Sequence, residues 1–238
     1  MLPGKYRGIV FFDRWGGCTL YRGIYVAYVS ESVKEQLRAE SGKCVELDVT
    51  EIDQPMNPGD GLIKQFKLIG EVPSTQASPS HEGLAISIAP AFDNGKSPEF
   101  VICVKNVTDE PQALYMDDLA PTLLALRAKA GLVGLSASDG PQHAVVTRQP
   151  FWLHSNDEPR TNGASDLWRW TVLTPTKFAK DIPLEPNASF ELRLAFTLPP
   201  NEYQFLAGFG GRYRYPQYVA SNSISFDVKD DGTAVVVK

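Results

Sequence analysis

The stretch from Phe190 to Val228 constrains the fold of this chain more than any other. Phe190, Leu192, Leu194 and Phe196 alternate with Glu191, Arg193 and Ala195, and Ile224, Phe226 and Val228 alternate with Ser223, Ser225 and Asp227. A period of two places one set of side chains on one face of an extended strand, so each run reads as a half-buried β-strand. Leu198-Pro199-Pro200 lies between them. Proline has no N–H to give a ladder, so the first strand stops there. With Gln204 to Gly208 as a further strand, the region reads as three consecutive strands closing an antiparallel sandwich.

The rest of the chain has the same character. Leu84, Ile86 and Ile88 alternate with Ala85, Ser87 and Ala89, and Phe100, Ile102 and Val104 share one face after a turn at Asp93-Asn94-Gly95. Short strands are expected at Gln112 to Met116, Val145 to Arg148 and Leu167 to Leu173. Residues 119–135 fit either a helix through Leu119, Leu123 and Leu126 or a strand through Leu124, Leu126 and Ala128, and the sandwich context favours the strand. Eighteen prolines and nineteen glycines spread over 238 residues suit many turns between short strands. That length allows one large or two ordinary domains.

Residues 1–72 read as a separate β-rich unit of order β-β-α-β-β. Arg7 to Asp13 is a strand, Trp15-Gly16-Gly17 a turn, and Cys18 to Val29 a second strand with a bend at Gly23. Ser32-Val33-Lys34-Glu35 has capping-box form and Gly42 supplies a stop, which predicts a helix. Strands at Lys43 to Asp53 and Gly61 to Ile69 complete a small curled sheet or partly open barrel. Residues 73–82 have linker composition, and residues 83–238 form the sandwich.

Three short motifs in the second unit resemble bacterial immunoglobulin-like sandwich domains. Leu198-Pro199-Pro200-Asn201-Glu202-Tyr203 resembles the corner before strand F, where a tyrosine hydroxyl bonds back to upstream backbone. Val219 to Val228 is similar to a closing strand, and Val104 to Pro111 to the end of an early one. The resemblance implies an immunoglobulin-like fold over about residues 83–238, with Tyr203 as the corner residue.

Function is less strongly marked. Gly208-Phe209-Gly210-Gly211 lacks the Lys-Ser/Thr of a phosphate loop, His81-Glu82 lacks the second histidine of a zinc-protease helix, and no Gly-x-Ser-x-Gly elbow occurs. His81, His143 and His154 are the only imidazoles, with Asp157 and Asp166 as available partners. No catalytic residue, metal ligand or cofactor is expected. Cys18, Cys44 and Cys103 are too few and too widely spaced for a disulfide framework, and the last two read as small buried hydrophobes.

Two aromatic groups are the candidate binding residues. Trp152, Trp168 and Trp170 form either core or a flat platform for a sugar ring or partner chain. Arg212, Tyr213, Arg214 and Tyr215 sit between the last two long strands, and both residue types are enriched at binding hot spots. The leading expectation is a non-enzymatic binding or scaffolding module that takes a protein partner or associates with the cell envelope. The alternative is a carbohydrate-binding or hydrolase accessory domain that takes a polysaccharide on the tryptophans.

A weaker alternative is single-stranded nucleic-acid binding by the first unit. There Lys5, Arg7, Arg14 and Arg22 mix with Phe11, Phe12, Trp15, Tyr21, Tyr25 and Tyr28. Residues 31–70 offset that charge, and the net charge of −5 gives no general pull toward nucleic acid. No apolar run approaches the ~20 residues that span a bilayer. No signal-peptide h-region is visible after Met1, and the location stays open: extracytoplasmic if a leader has been removed, otherwise cytoplasmic.

Overall fold

The structure, a computed structural model, describes residues 3–13, 16–22, 26–53, 61–80, 82–92, 97–115, 119–128, 142–147, 169–173, 181–210 and 219–237. It is built mostly of β-strands. Five of them, β1 (Gly4–Phe12), β2 (Cys18–Tyr21), β3 (Val26–Val29), β4 (Cys44–Asp53) and β5 (Gly61–Glu71), close a barrel in the order β1-β2-β3-β5-β4. The sheet closes fully because β1 is long enough to serve two neighbours. Gly4 to Ile9 pair with β4, and Ile9 to Phe12 pair with β2. β3 and β5 run parallel through Ala27–Gly61 to Val29–Ile63 and seal the other side. The helical turn lies between the third and fourth strands of this barrel.

Two local expectations are corrected here. Cys18 to Val29 is not one bent strand but the antiparallel pair β2 and β3, with Thr19 opposite Tyr28. The helical segment is a 3-10 helix, Lys34–Glu40, and no side chain caps it. Glu35 turns to Arg38, with bonds of 2.8 and 2.5 Å, instead of reaching back to the helix start. One buried residue, Leu37, anchors the segment to the barrel interior.

That interior holds Val10, Leu20, Ala27, Val29, Val45, Leu47 and Ile63. Gly8 is required there by close approach. A β-carbon at this position would lie 2.8 Å from Leu20 Cγ and closer still to the Tyr21 carbonyl oxygen. Backbone cannot yield as a flexible side chain can. Gly8→Ala is therefore expected to cost about 1–3 kcal/mol in a urea melt, the range for overpacked sites. An unchanged midpoint would contradict this packing.

The remaining strands form a sandwich with a small side sheet. One sheet has the order β11-β13-β7-β6, from β6 (Leu84–Pro90), β7 (Glu99–Asn106), β11 (Arg169–Val172) and β13 (Ser189–Thr197). The other has the order β10-β9-β14-β15-β16, from β9 (Ala120–Ala128), β10 (Gln142–Thr147), β14 (Asn201–Phe209), β15 (Val219–Val228) and β16 (Ala234–Val236). β8 (Gln112–Tyr115) and β12 (Asp181–Leu184) pair beside them. Between the sheets Phe100 is central, with ring centroids 4.7 Å from Phe205, 5.0 Å from Phe226 and 5.9 Å from Phe196. Tyr203 is fully buried, stacks on Phe226 and donates its hydroxyl to the Pro199 carbonyl at 2.7 Å.

The run that reads as helix or strand is the strand β9. Its ambiguity has a physical origin, since both of its faces are buried and no polar face breaks the apolar run. Leu123 and Ala125 enter the sandwich core, while Leu124 points the other way into a third apolar cluster. That cluster joins barrel to sandwich. Ile9, Cys44 and Val72 meet Leu124, Leu206 and Ala220, with half-buried Tyr21 packed alongside.

Within the stretch of linker composition, residues 74–77 are held rather than loose. The guanidinium of Arg7, 6% exposed, donates to Glu46 at 2.8 Å and to the carbonyls of Ala77 at 2.9 Å and Gln76 at 3.3 Å. Asn222, fully buried, donates to the Ser74 carbonyl, accepts from the Ile88 N–H at 2.8 Å and donates to the Ile88 carbonyl at 2.8 Å. Its side-chain amide thus makes the paired contact that a neighbouring strand would make. Asn222→Ala leaves both Ile88 groups without these partners, at about 1–3 kcal/mol for a buried polar group left unsatisfied. Denaturant melts of Asn222→Ala are expected to show a loss at the upper end of that range, and a loss under about 0.5 kcal/mol, typical of surface changes, would contradict the clamp.

Candidate binding surface

The sequence-predicted binding residues fall mostly outside the described residues: Trp152, Trp168, Arg212, Tyr213, Arg214 and Tyr215 all do, as do His81 and His154. Trp170 lies in β11 with Phe196 as its register partner, and His143 lies in β10.

Of the basic and aromatic residues expected to form a surface on the barrel, Arg14, Trp15 and Tyr25 lie outside the described residues, and Lys5 is exposed. Arg7 is spent on Glu46 and residues 76–77, and Arg22, 2% exposed, lies 4.3 Å over the Tyr6 ring. Phe11 is buried with its ring edge against Tyr21. Tyr28, 47% exposed, is the aromatic of this group that stays open among the described residues.

A concave site does form at one end of the sandwich. It is a cleft of about 450 Å³ lined by Glu82 and Leu84 at the start of β6, by Pro111 and all of β8, and by Phe209 and Gly210 at the end of β14. That volume is in the range of ordinary ligand sites. Leu84, Leu114 and Phe209 give it an apolar floor, and Glu82 is the one charged side chain in its lining among the described residues.

The wall made by β8 is fixed by Asn106, which is fully buried at the end of β7. Its amide nitrogen donates to the carbonyls of Glu110 at 2.8 Å, Leu184 at 3.0 Å and Glu185 at 3.1 Å. Its oxygen accepts the Thr108 N–H at 2.9 Å and the Thr108 hydroxyl at 2.8 Å. One side chain therefore sets the turn before β8 and ties it to β12. The opposite wall comes in on Glu82 and Gly83, at φ 48° and +79°. A β-carbon on Gly83 would lie 2.7 Å from Thr108 Cγ2, so glycine lets the two walls approach.

The backbone of β8 has a definite orientation. Pro183 is the register partner of Ala113. Proline has no N–H, so the ladder between β8 and β12 runs through Ile182–Leu114 and Leu184–Gln112. Successive residues of a strand direct their N–H and C=O groups to opposite edges. Those of Ala113 and Tyr115 therefore face away from β12, and all four residues of β8 line the cleft. Sequence reading does not single out this feature, although a proline within a short strand is the signal that reveals it.

Cys18 and Cys44 are buried and Cys103 is partly buried. Burial pushes Cys18 and Cys44 up to about 12, and burial also raises Cys103, which is half-buried. Native protein treated with iodoacetamide at about pH 8 should leave Cys18 and Cys44 unmodified, with both reacting after denaturation. The folded state holds these protons more tightly than the unfolded state. Stability is therefore fully present below the ordinary thiol value of 9.0 and falls as pH rises from there toward about 12. Rapid native alkylation of Cys44 would contradict its burial.

Among the described residues no group of three His, Cys, Asp or Glu side chains gathers as a metal site would, and no helix is long and apolar enough to cross a membrane. No family model matches the chain, and neither a curated protein nor a solved structure matches it.

Proposed function

We propose that this chain is a non-enzymatic binding or scaffolding module, an immunoglobulin-like sandwich carried on a β-barrel, that engages a protein partner at the cleft end of the sandwich. The immunoglobulin-like reading is supported by strand order. β6-β7-β13-β11 follows the A-B-E-D arrangement and β9-β14-β15 the C-F-G arrangement of such domains, with Tyr203 at the start of the F-equivalent strand. Loops gather at the ends of these sandwiches, and variable domains bind there.

The observation that carries the function is the cleft itself. Its lining ends at Gly210, and the chain runs on from there into the Arg212–Tyr215 segment with its hot-spot composition. A photo-crosslinking residue placed at Tyr115, 38% exposed, tests this against one placed at Tyr28, 47% exposed on the barrel. The expected result is a discrete protein adduct from position 115 in cells, absent from position 28, and lost when Arg212 and Tyr213 are both changed to Ala. The same adducts from both positions, or none from 115, would overturn the proposal.

A further inference from the structure

The contrast between two strand edges points to what the cleft accepts. The outer edge of β6 is closed along most of its length. Ser78 bonds the Ile86 N–H at 2.9 Å and donates its own N–H to the Ile86 carbonyl at 2.8 Å. Asn222 closes Ile88 in the same way, and Pro90, two residues on, has no N–H to offer. Capping of this kind keeps an edge from recruiting another chain. On β8 the situation is reversed. Pro183 forces the ladder onto alternate residues, so Ala113 and Tyr115 turn their main-chain groups away from β12, on a strand that lines the cleft along its whole length.

A row of alternating N–H and C=O groups above an apolar floor recognises one thing well, which is another extended backbone with apolar side chains at every second residue. We infer that β8 accepts an extended segment of the partner protein as an added strand. Main-chain bonds to Ala113 and Tyr115 would hold it, apolar side chains would rest on Leu84, Leu114 and Phe209, and its residue beside Glu82 would not be acidic. This rests on the proposed function and adds the chemistry of the partner.

Ala113→Pro is the direct test. It removes a donor from the cleft edge without touching the β8–β12 ladder, and the Ala113 side chain is exposed. Phage-displayed random peptides of about ten residues would be panned on the intact chain, and those enriched measured by fluorescence anisotropy. The expected peptides alternate apolar and polar residues and bind Ala113→Pro about tenfold more weakly than the unaltered chain, at the same melting temperature. N-methylation of the peptide at every second residue should weaken binding to the unaltered chain by a similar factor in one register and leave it unchanged in the other. This second measurement does not depend on how the variant folds.

Equal binding by Ala113→Pro, tolerance of N-methylation in both registers, or the absence of any enriched peptide would each overturn strand addition. Dimerisation of the chain that Ala113→Pro abolishes would also overturn it, by making a second copy the occupant. A crosslinked adduct at position 115 that survives Ala113→Pro would leave the proposed function standing and remove this inference alone.

Discussion

Tyr203→Ala is expected to lower stability by about 3–5 kcal/mol, the range for truncating a buried aromatic residue. The ring is fully buried and stacked on Phe226, with centroids 5.4 Å apart. Its removal opens a cavity where β13 turns into β14. Burial also pushes the hydroxyl pKa up, so the group stays a neutral donor to Pro199. Tyr203→Phe keeps the ring and loses only that bond, for an expected cost of about 1–2 kcal/mol. The exposed Tyr28→Phe should change stability by less than about 0.5 kcal/mol. Urea melts of the three variants check the order, and equal effects at Tyr203 and Tyr28 would remove the corner.

Arg7→Ala should be comparably damaging, for electrostatic reasons. The Arg7 and Glu46 side chains are 5% and 17% exposed, so deleting the cation strands a carboxylate in a largely dry site. Breaking a buried pair by removing one partner costs about 3–5 kcal/mol. The loss also frees the carbonyls of Gln76 and Ala77. The variant should therefore become susceptible to protease within residues 73–80 before either β-unit is cut. Arg7→Lys is not expected to restore the site, because a single ammonium cannot reach the carboxylate and two carbonyls in the guanidinium's planar geometry. A melting curve for Arg7→Ala within about 0.5 kcal/mol of the unaltered chain would contradict this reading.

Most of the strand framework is legible in the sequence. Wherever one face of a strand is buried and the other wet, as along Leu84–Pro90 and Ser189–Thr197, period-two alternation marks it. The corner at Tyr203 is legible because its parts, Leu-Pro-Pro and the tyrosine, are local. What is less legible depends on partners far away in the chain. The role of Arg7 follows from residues 76–77, and Asn222 reaches back to Ser74 and Ile88. Residues 73–82 look like a linker because no local feature shows what holds them.

The barrel hairpin was obscured because apolar residues run through Cys18 to Val29 and Gly23 is its lone turn signal. The capping-box pattern at Ser32 misleads because its glutamate has a better partner in Arg38. The candidate site was half visible. Arg212 to Tyr215 stand out by composition, whereas the orientation of the β8 backbone follows from a pairing across about seventy residues that only the fold reveals.

The central claim is that barrel and sandwich form one body through Ile9, Cys44 and Val72 against Leu124, Leu206 and Ala220, clamped by Arg7 and Asn222. Differential scanning calorimetry of the whole chain tests it most directly. One transition, with calorimetric and van't Hoff enthalpies in agreement and shifted as a unit by Arg7→Ala, is the predicted result. Two resolved transitions, with Arg7→Ala moving only one of them, would contradict it.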